Sequence, residues 1–168
     1  LSSQLAHALY AEGANQGDRV ALLLNNGPYS VPLDFACVKA GLNRVPLNAR
    51  LSVQEHARML KETGARRIVF GADLADHAEA LKQALPGLKC HGLDSQIDGG
   101  DDLMASARSQ PTSAPDITVN DDDVILTLFT SGTTGTLKAA QHTQASYAGV
   151  CKNVLMNLIN VEHEDAML

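Results

Sequence analysis

The chain has 168 residues, 45% of them apolar, which is enough to bury one real core and too few for two domains. With 13 basic against 19 acidic residues, a formal charge of −6, three Tyr, three Phe and no Trp, it has no basic stripe for nucleic acid. No apolar run approaches the roughly 20 residues of a membrane span, and the first residues show neither a basic n-region nor a signal-type apolar core. Cys37, Cys90 and Cys151 lack metal-ligand spacing and sit in or beside apolar segments, as reduced packing thiols do, so a cytoplasmic location is expected.

Periodicity gives alternating helices and strands. Leu1, Leu5, Ala8 and Leu9 share a helical face, and Gly13 and Gly17-Asp18 break it before the apolar run Val20 to Leu24, which reads as a buried strand. Pro28 and Pro32 fit only an initial turn, which predicts a helix from about Tyr29 to Ala40 with Val31, Phe35, Val38 and Leu42 inward and with Asp34 and Lys39 on its solvated face. Ser52-Val53-Gln54-Glu55 has capping-box spacing, and its helix should stop at Gly64. Arg66 to Phe70 reads as a strand. Leu74, Ala78, Leu81 and Leu85 form an amphipathic helical face, ended by Pro86-Gly87 before a short strand, Leu88 to Leu93. From 94 to 123 Asp, Ser, Gly and Pro dominate, as in a surface connection, with a short helix at Leu103 to Ala107. Asp121-Asp122-Asp123 reads as a solvated approach to the strand Val124 to Phe129, because consecutive carboxylates point in different directions. Lys138 to Thr143 returns as another strand, and a final helix covers about Gln144 to Asn160 with Tyr147, Val154, Leu155 and Leu158. The alternation implies an α/β fold, a mostly parallel sheet with helices on both faces.

The chemistry concentrates in Thr130-Ser131-Gly132-Thr133-Thr134-Gly135-Thr136-Leu137-Lys138, which leaves the carboxyl end of a strand. Glycines let backbone N–H groups approach an anion, hydroxyls add neutral donors, and the lysine brings a mobile positive charge. The nucleotide-hydrolase loop needs Gly-Lys-Ser/Thr after four residues, yet here Leu137 precedes Lys138 and Ala139 follows it. No G-x-G-x-x-G is present either, which removes the dinucleotide fingerprint. His142 is an ordinary polar residue of the returning strand, and His7, His56, His77, His91 and His163 share no motif.

This loop resembles the phosphate-binding signature of the adenylate-forming enzymes, which include acyl- and aryl-CoA synthetases, luciferases and peptide-synthetase adenylation domains. Thr130 to Gly135 match its Thr-Ser-Gly-Thr-Thr-Gly run and Lys138 its lysine; Leu137 replaces a proline, Ala139 a glycine, and Gln144 a frequent histidine. Gly17-Asp18-Arg19-Val20-Ala21-Leu22, Asn25-Asn26, Phe35 to Gly41 and Val45-Pro46-Leu47-Asn48 resemble the opening of an acyl-CoA synthetase in the same order.

The resemblance implies that residues 1–168 are the N-terminal part of an adenylation domain. The reaction it implies joins ATP and a small-molecule carboxylate, a fatty or aromatic acid, to give acyl-AMP and pyrophosphate, followed by acyl transfer to a thiol such as CoA. Thr130, Ser131, Gly132, Thr133, Thr134, Gly135 and Lys138 are then the ATP-phosphate residues. The resemblance puts the magnesium ligands and the catalytic lysine in the remainder of the parent enzyme, so this piece alone should turn nothing over. The alternative is a non-catalytic nucleotide-binding module of a larger assembly.

Overall fold

The computed structural model describes residues 1–130 and 138–154. In chain order they form α1 (Ser2–Ala11), β1 (Arg19–Leu23), α2 (Ser30–Lys39), β2 (Asn43–Leu47), α3 (Val53–Thr63), β3 (Arg67–Gly71), a 3-10 turn (Ala72–Leu74) leading into α4 (Ala75–Ala84), β4 (Lys89–Leu93), β5 (Asp101–Asp102), α5 (Leu103–Ala107), β6 (Val124–Thr130), β7 (Lys138–Thr143) and α6 (Gln144–Asn153). The strands make one sheet in the order β5-β4-β3-β1-β2-β6-β7. Every neighbouring pair is parallel except β6 with β7, so the mostly parallel sheet expected from the alternation is what forms.

Alternation along β1 builds two cores. Val20 and Leu22 turn to one face, where Leu5, Ala8 and Leu9 of α1, Leu33 and Cys37 of α2, and Leu103 of α5 close over them. Ala21 and Leu23 turn to the other, against Met59 and Leu60 of α3 and Ala78 and Leu81 of α4. Burial on both faces is why β1 and β3 read as continuous apolar runs. Cys37 and Cys90 are buried in these layers, and burial pushes their thiols up to about 12 and about 11, which keeps them protonated packing groups.

The capping box is present as expected. Ser52 Oγ accepts from Glu55 N at 3.3 Å, Glu55 Oε2 accepts from Ser52 N at 2.8 Å, and α3 ends on Gly64 in the left-handed region, φ 68°. The connection from 94 to 123 carries the expected helix at Leu103–Ala107, capped by Asp102. It also carries β5, and it turns Ile97, Leu103, Met104 and Ala107 inward.

Helix α2 departs from expectation. Its inward residues are Leu33, Ala36 and Cys37, while Val31 is 63% and Phe35 56% exposed. The helix is apolar nearly all round, so two stripes satisfy its periodicity, and the smaller one wins because Ala36 and Cys37 let α1 pack closely. Leu1 is likewise exposed, ahead of the first turn of α1.

Two residues expected on the solvated face of α2 are tied down instead. Asp34 Oδ1 receives Arg44 Nε at 2.7 Å, and Lys39 Nζ donates to Ser2 Oγ and Ser3 Oγ at 2.9 and 3.0 Å, joining α2 to α1. Helix α6 begins at Gln144 as expected; Leu155 and Leu158 lie outside the described residues.

Candidate functional site

Strand β6 lies beside β2 with Leu126 opposite Arg44. Its first half is anchored: Ile125, Leu126 and Thr127 are buried, and Thr127 Oγ1 donates to Asn43 Oδ1 at 3.0 Å. Its last residues emerge from the sheet, with Leu128 38% exposed and Thr130 exposed as well. The strand therefore carries the chain out of the core at its carboxyl end, where open α/β sheets bind ligands.

Strand β7 brings the chain straight back. Thr130 pairs with Lys138, Phe129 with Ala139 and Leu128 with Ala140, and Thr130 Oγ1 donates to the Lys138 carbonyl at 3.5 Å. Of the residues read as a phosphate loop, Thr130 and Lys138 are thus neighbours across an antiparallel pair. Ser131, Gly132, Thr133, Thr134 and Gly135 lie outside the described residues. The exposed Lys138 ammonium has no hydrogen bond or ion pair among the described residues, so it is available to an anion. A strand follows the lysine where a nucleotide-hydrolase loop requires a helix, which separates the two loop types by topology as well as by spacing.

The hairpin's base is pinned from below. Thr143 Oγ1 caps α6 by accepting from Ser146 N at 3.2 Å. The Gln144 and Ala145 amides donate to the carbonyls of Asp123 and Asp121. The Asp123 carboxylate accepts from Asn120 N at 2.8 Å, so the acidic run serves as a turn leading into β6. Tyr147 of α6 packs edge-on to the half-buried His142 and lies under Arg44, whose guanidinium carbon is 5.2 Å from the ring centroid.

A second recess lies at Asn25-Asn26, a pair the sequence marks only through its resemblance to the opening of an acyl-CoA synthetase. The loops after β1 and β3 leave in opposite directions, and the crevice between them, about 370 Å³, is lined by Asn25, Tyr29, Asp73 and Asp94. These groups already satisfy each other: Asn25 Nδ2 donates to Asp73 Oδ2 at 2.7 Å and Tyr29 OH to Asp94 Oδ2, with Arg108 Nη2 3.7 Å from Asp94. That hydrogen bond to Asp94 raises the Tyr29 phenol above its ordinary value.

The structure also joins histidines that no motif connects. His56 Nδ1 is 2.8 Å from His77 Nε2, and His91 Nδ1 is 2.8 Å from Asp101 Oδ1.

The family described as AMP-binding enzyme matches residues 1–168. The chain belongs to that family. Among the AMP-binding enzymes similar to it, a feruloyl-CoA synthase of an Amycolatopsis species is 34% identical over 166 residues, which is 99% of this chain and 31% of the relative. The long-chain-fatty-acid CoA ligase FadD13 of Mycobacterium tuberculosis is 32% identical over 169 residues, 100% of this chain and 33% of that protein.

Among solved structures, the inhibitor-bound N-terminal domain of FACL13 from M. tuberculosis superposes with a TM-score of 0.74 at 31% identity, covering 85% of this chain and 35% of that one. A long-chain-fatty-acid CoA ligase of Archaeoglobus fulgidus reaches 0.87 at 20% identity over 98% of this chain and 32% of its own, a likeness of fold. The chain therefore spans about a third of the length of the AMP-binding enzymes it matches. No described helix is long and apolar enough to cross a membrane.

Proposed function

We propose that the chain is the N-terminal portion of an AMP-forming acid–thiol ligase, an enzyme that activates a carboxylate with ATP and passes the acyl group to a thiol such as CoA. The observation that carries this reading is the hairpin. A strand anchored by Thr127 and Asn43 presents Thr130 and the unpaired Lys138 side by side at the carboxyl edge of the sheet, at the two ends of a Ser/Thr/Gly loop. Membership of the family and the names of relatives that use CoA support it. A fatty or aromatic acid is the substrate class those names suggest, and buried, unpaired thiols suit a cytoplasmic enzyme.

In this reading Thr130, Ser131, Thr133 and Thr134 donate to the β- and γ-phosphates of ATP, Gly132 and Gly135 admit the backbone close to them, and Lys138 neutralises charge as pyrophosphate departs. Attack of the carboxylate oxygen on the α-phosphorus forms the acyl–phosphate bond and breaks the bond to pyrophosphate. It needs position and electrostatics and no protein nucleophile. Among the described residues no group of three or more His, Cys, Asp or Glu converges on one point, so they offer magnesium no cage.

Carboxylate-dependent exchange of pyrophosphate into ATP by the full-length parent tests the reading, with short, long and aromatic acids compared. One acid class should support exchange, and Lys138→Ala should slow it about 100-fold, the loss typical of removing one donor to developing charge. The 168-residue piece should give none. A folded full-length protein that exchanges with no acid would leave a nucleotide-binding module in place of a ligase.

A further inference from the structure

At the end of the sheet opposite the β6–β7 loop, the amino ends of β1, β3 and β4 border a cavity of about 610 Å³. Arg19, Arg66, Arg67 and Lys89 line it against a single carboxylate, Asp18. The parallel register places Arg67 beside Val20 on one side and Lys89 on the other. Arg19 and Lys89 thus open β1 and β4, and Arg66 stands one residue ahead of β3 between them, on neighbouring strands about 4.8 Å apart.

Only Arg67 is committed to the fold. It is buried, its Nη1 donates to the Glu12 carbonyl at 2.8 Å and its Nη2 to that of Gly13, and its Nε lies 3.9 Å from Asp18 Oδ2. These bonds neutralise the carboxyl end of α1.

The other three cations are exposed and have no hydrogen bond or ion pair among the described residues. Two of them, Arg19 and Lys89, nonetheless lie over glycines. A side-chain carbon at Gly13 would lie 3.4 Å from Arg67 Nη2 and 3.8 Å from Lys89 Nζ, and one at Gly64 would lie 3.6 Å from Arg19 Nη1. Gly17 and Gly87 extend this bare floor. Like charges drawn into one concavity repel, and one carboxylate already shared with Arg67 does not offset them. In a chain of net charge −6, four of the 13 basic residues meet here.

We propose that this cavity binds a small polyanion carrying two or more phosphate groups, at a site separate from the loop after β6. Three free cations spread over about 10 Å of strand edges match a chain of phosphates better than a single one. A glycine floor inside a recess suits a compact ligand better than the convex face of an acidic protein.

The test is calorimetric titration of the full-length parent with inorganic tripolyphosphate, in wild type, in Lys138→Ala, and in Arg19→Gln/Arg66→Gln/Lys89→Gln alone and combined with Lys138→Ala. The triple substitution should weaken one binding event at least tenfold in both backgrounds, and that event should weaken with added salt. Its melting temperature should stay near wild type, since the three side chains are exposed and unpaired. Should the triple variant not fold, single Lys89→Gln must weaken the same event at least threefold. Binding unchanged by these substitutions overturns the proposal, as does capture of polyglutamate in place of tripolyphosphate, which would mark a docking surface for an acidic protein. Lys138 lies at the other end of the sheet, so failure here leaves the ligase reading intact, and the converse holds.

Discussion

Among the described glycines, Gly92 has the least room for a side chain. It sits in β4 where the chain doubles back, and a side-chain carbon there would lie 1.8 Å from the Ser95 carbonyl oxygen and 2.6 Å from its carbon. Neither is the end of a flexible side chain, so the backbone itself must move, and with it Asp94, held at φ 52° and bonded to Tyr29. Gly92→Ala should cost about 3 kcal/mol, against well under 1 kcal/mol for alanine at the unobstructed Gly87, measured by urea unfolding. Equal losses at the two positions would show that β4 relaxes freely. Arg44 makes the complementary point. Its Nη1 has no hydrogen-bond partner among the described residues although its Nε is paired with Asp34, and nothing in a strand sequence Asn-Arg-Val-Pro-Leu announces that its arginine is buried. Burial raises the Asp34 carboxyl above its ordinary value, and Arg44 opposes that.

Between elements, the contact of α3 with α4 runs through a proton-sensitive pair. His56 Nε2 lies 3.0 Å from the Asn48 carbonyl and must donate to it, which leaves His56 Nδ1 as acceptor and requires His77 Nε2 to be the donor. His56 is therefore neutral, and a proton added to it would set two N–H groups against each other. Burial lowers both histidines below their ordinary 6.5, and at His56 the neighbouring His77 adds to that. With folded values below unfolded ones, the unfolded chain takes up protons first, so this stabilisation is complete above pH 6.5 and drains away as pH falls through the lowered values. His77→Ala should cost about 1 kcal/mol at pH 7.5 and flatten the loss of stability between pH 6.5 and 5. An unchanged slope in denaturation curves across that range would remove the pair from the account. The pair was illegible beforehand because its members are 21 residues apart and share no spacing rule. The capping box four residues upstream was legible because Ser52, Glu55 and Gly64 act within one helix. The inward face of α2 falls between these cases, since periodicity marks a helix there and only its packing against α1 selects Leu33, Ala36 and Cys37 over Val31 and Phe35. β5, two residues long, has no period to detect.

Taken as a whole, the molecule is unevenly built. Most of β1, β2, β3 and β4 is buried on both faces between two helical layers, whereas β7 has no buried residue and α6 none among those described. β6 joins the parallel sheet through its first half alone, and its Leu128 is exposed, as is Val150 of α6. Local opening is governed by buried apolar contact, so within these 168 residues β7 and the described part of α6 are the elements least held by a core. Hydrogen exchange followed by mass spectrometry on the chain should find the deepest protection at Leu22, Val45 and Val69. Amides of β7 and α6 should exchange at least 100-fold faster, and β6 should divide near Leu128. If β7 were instead protected to the level of β1, the hairpin would be part of the rigid core. Thr130 and Lys138 would then stand on a pair of strands as firmly held as the centre of the sheet.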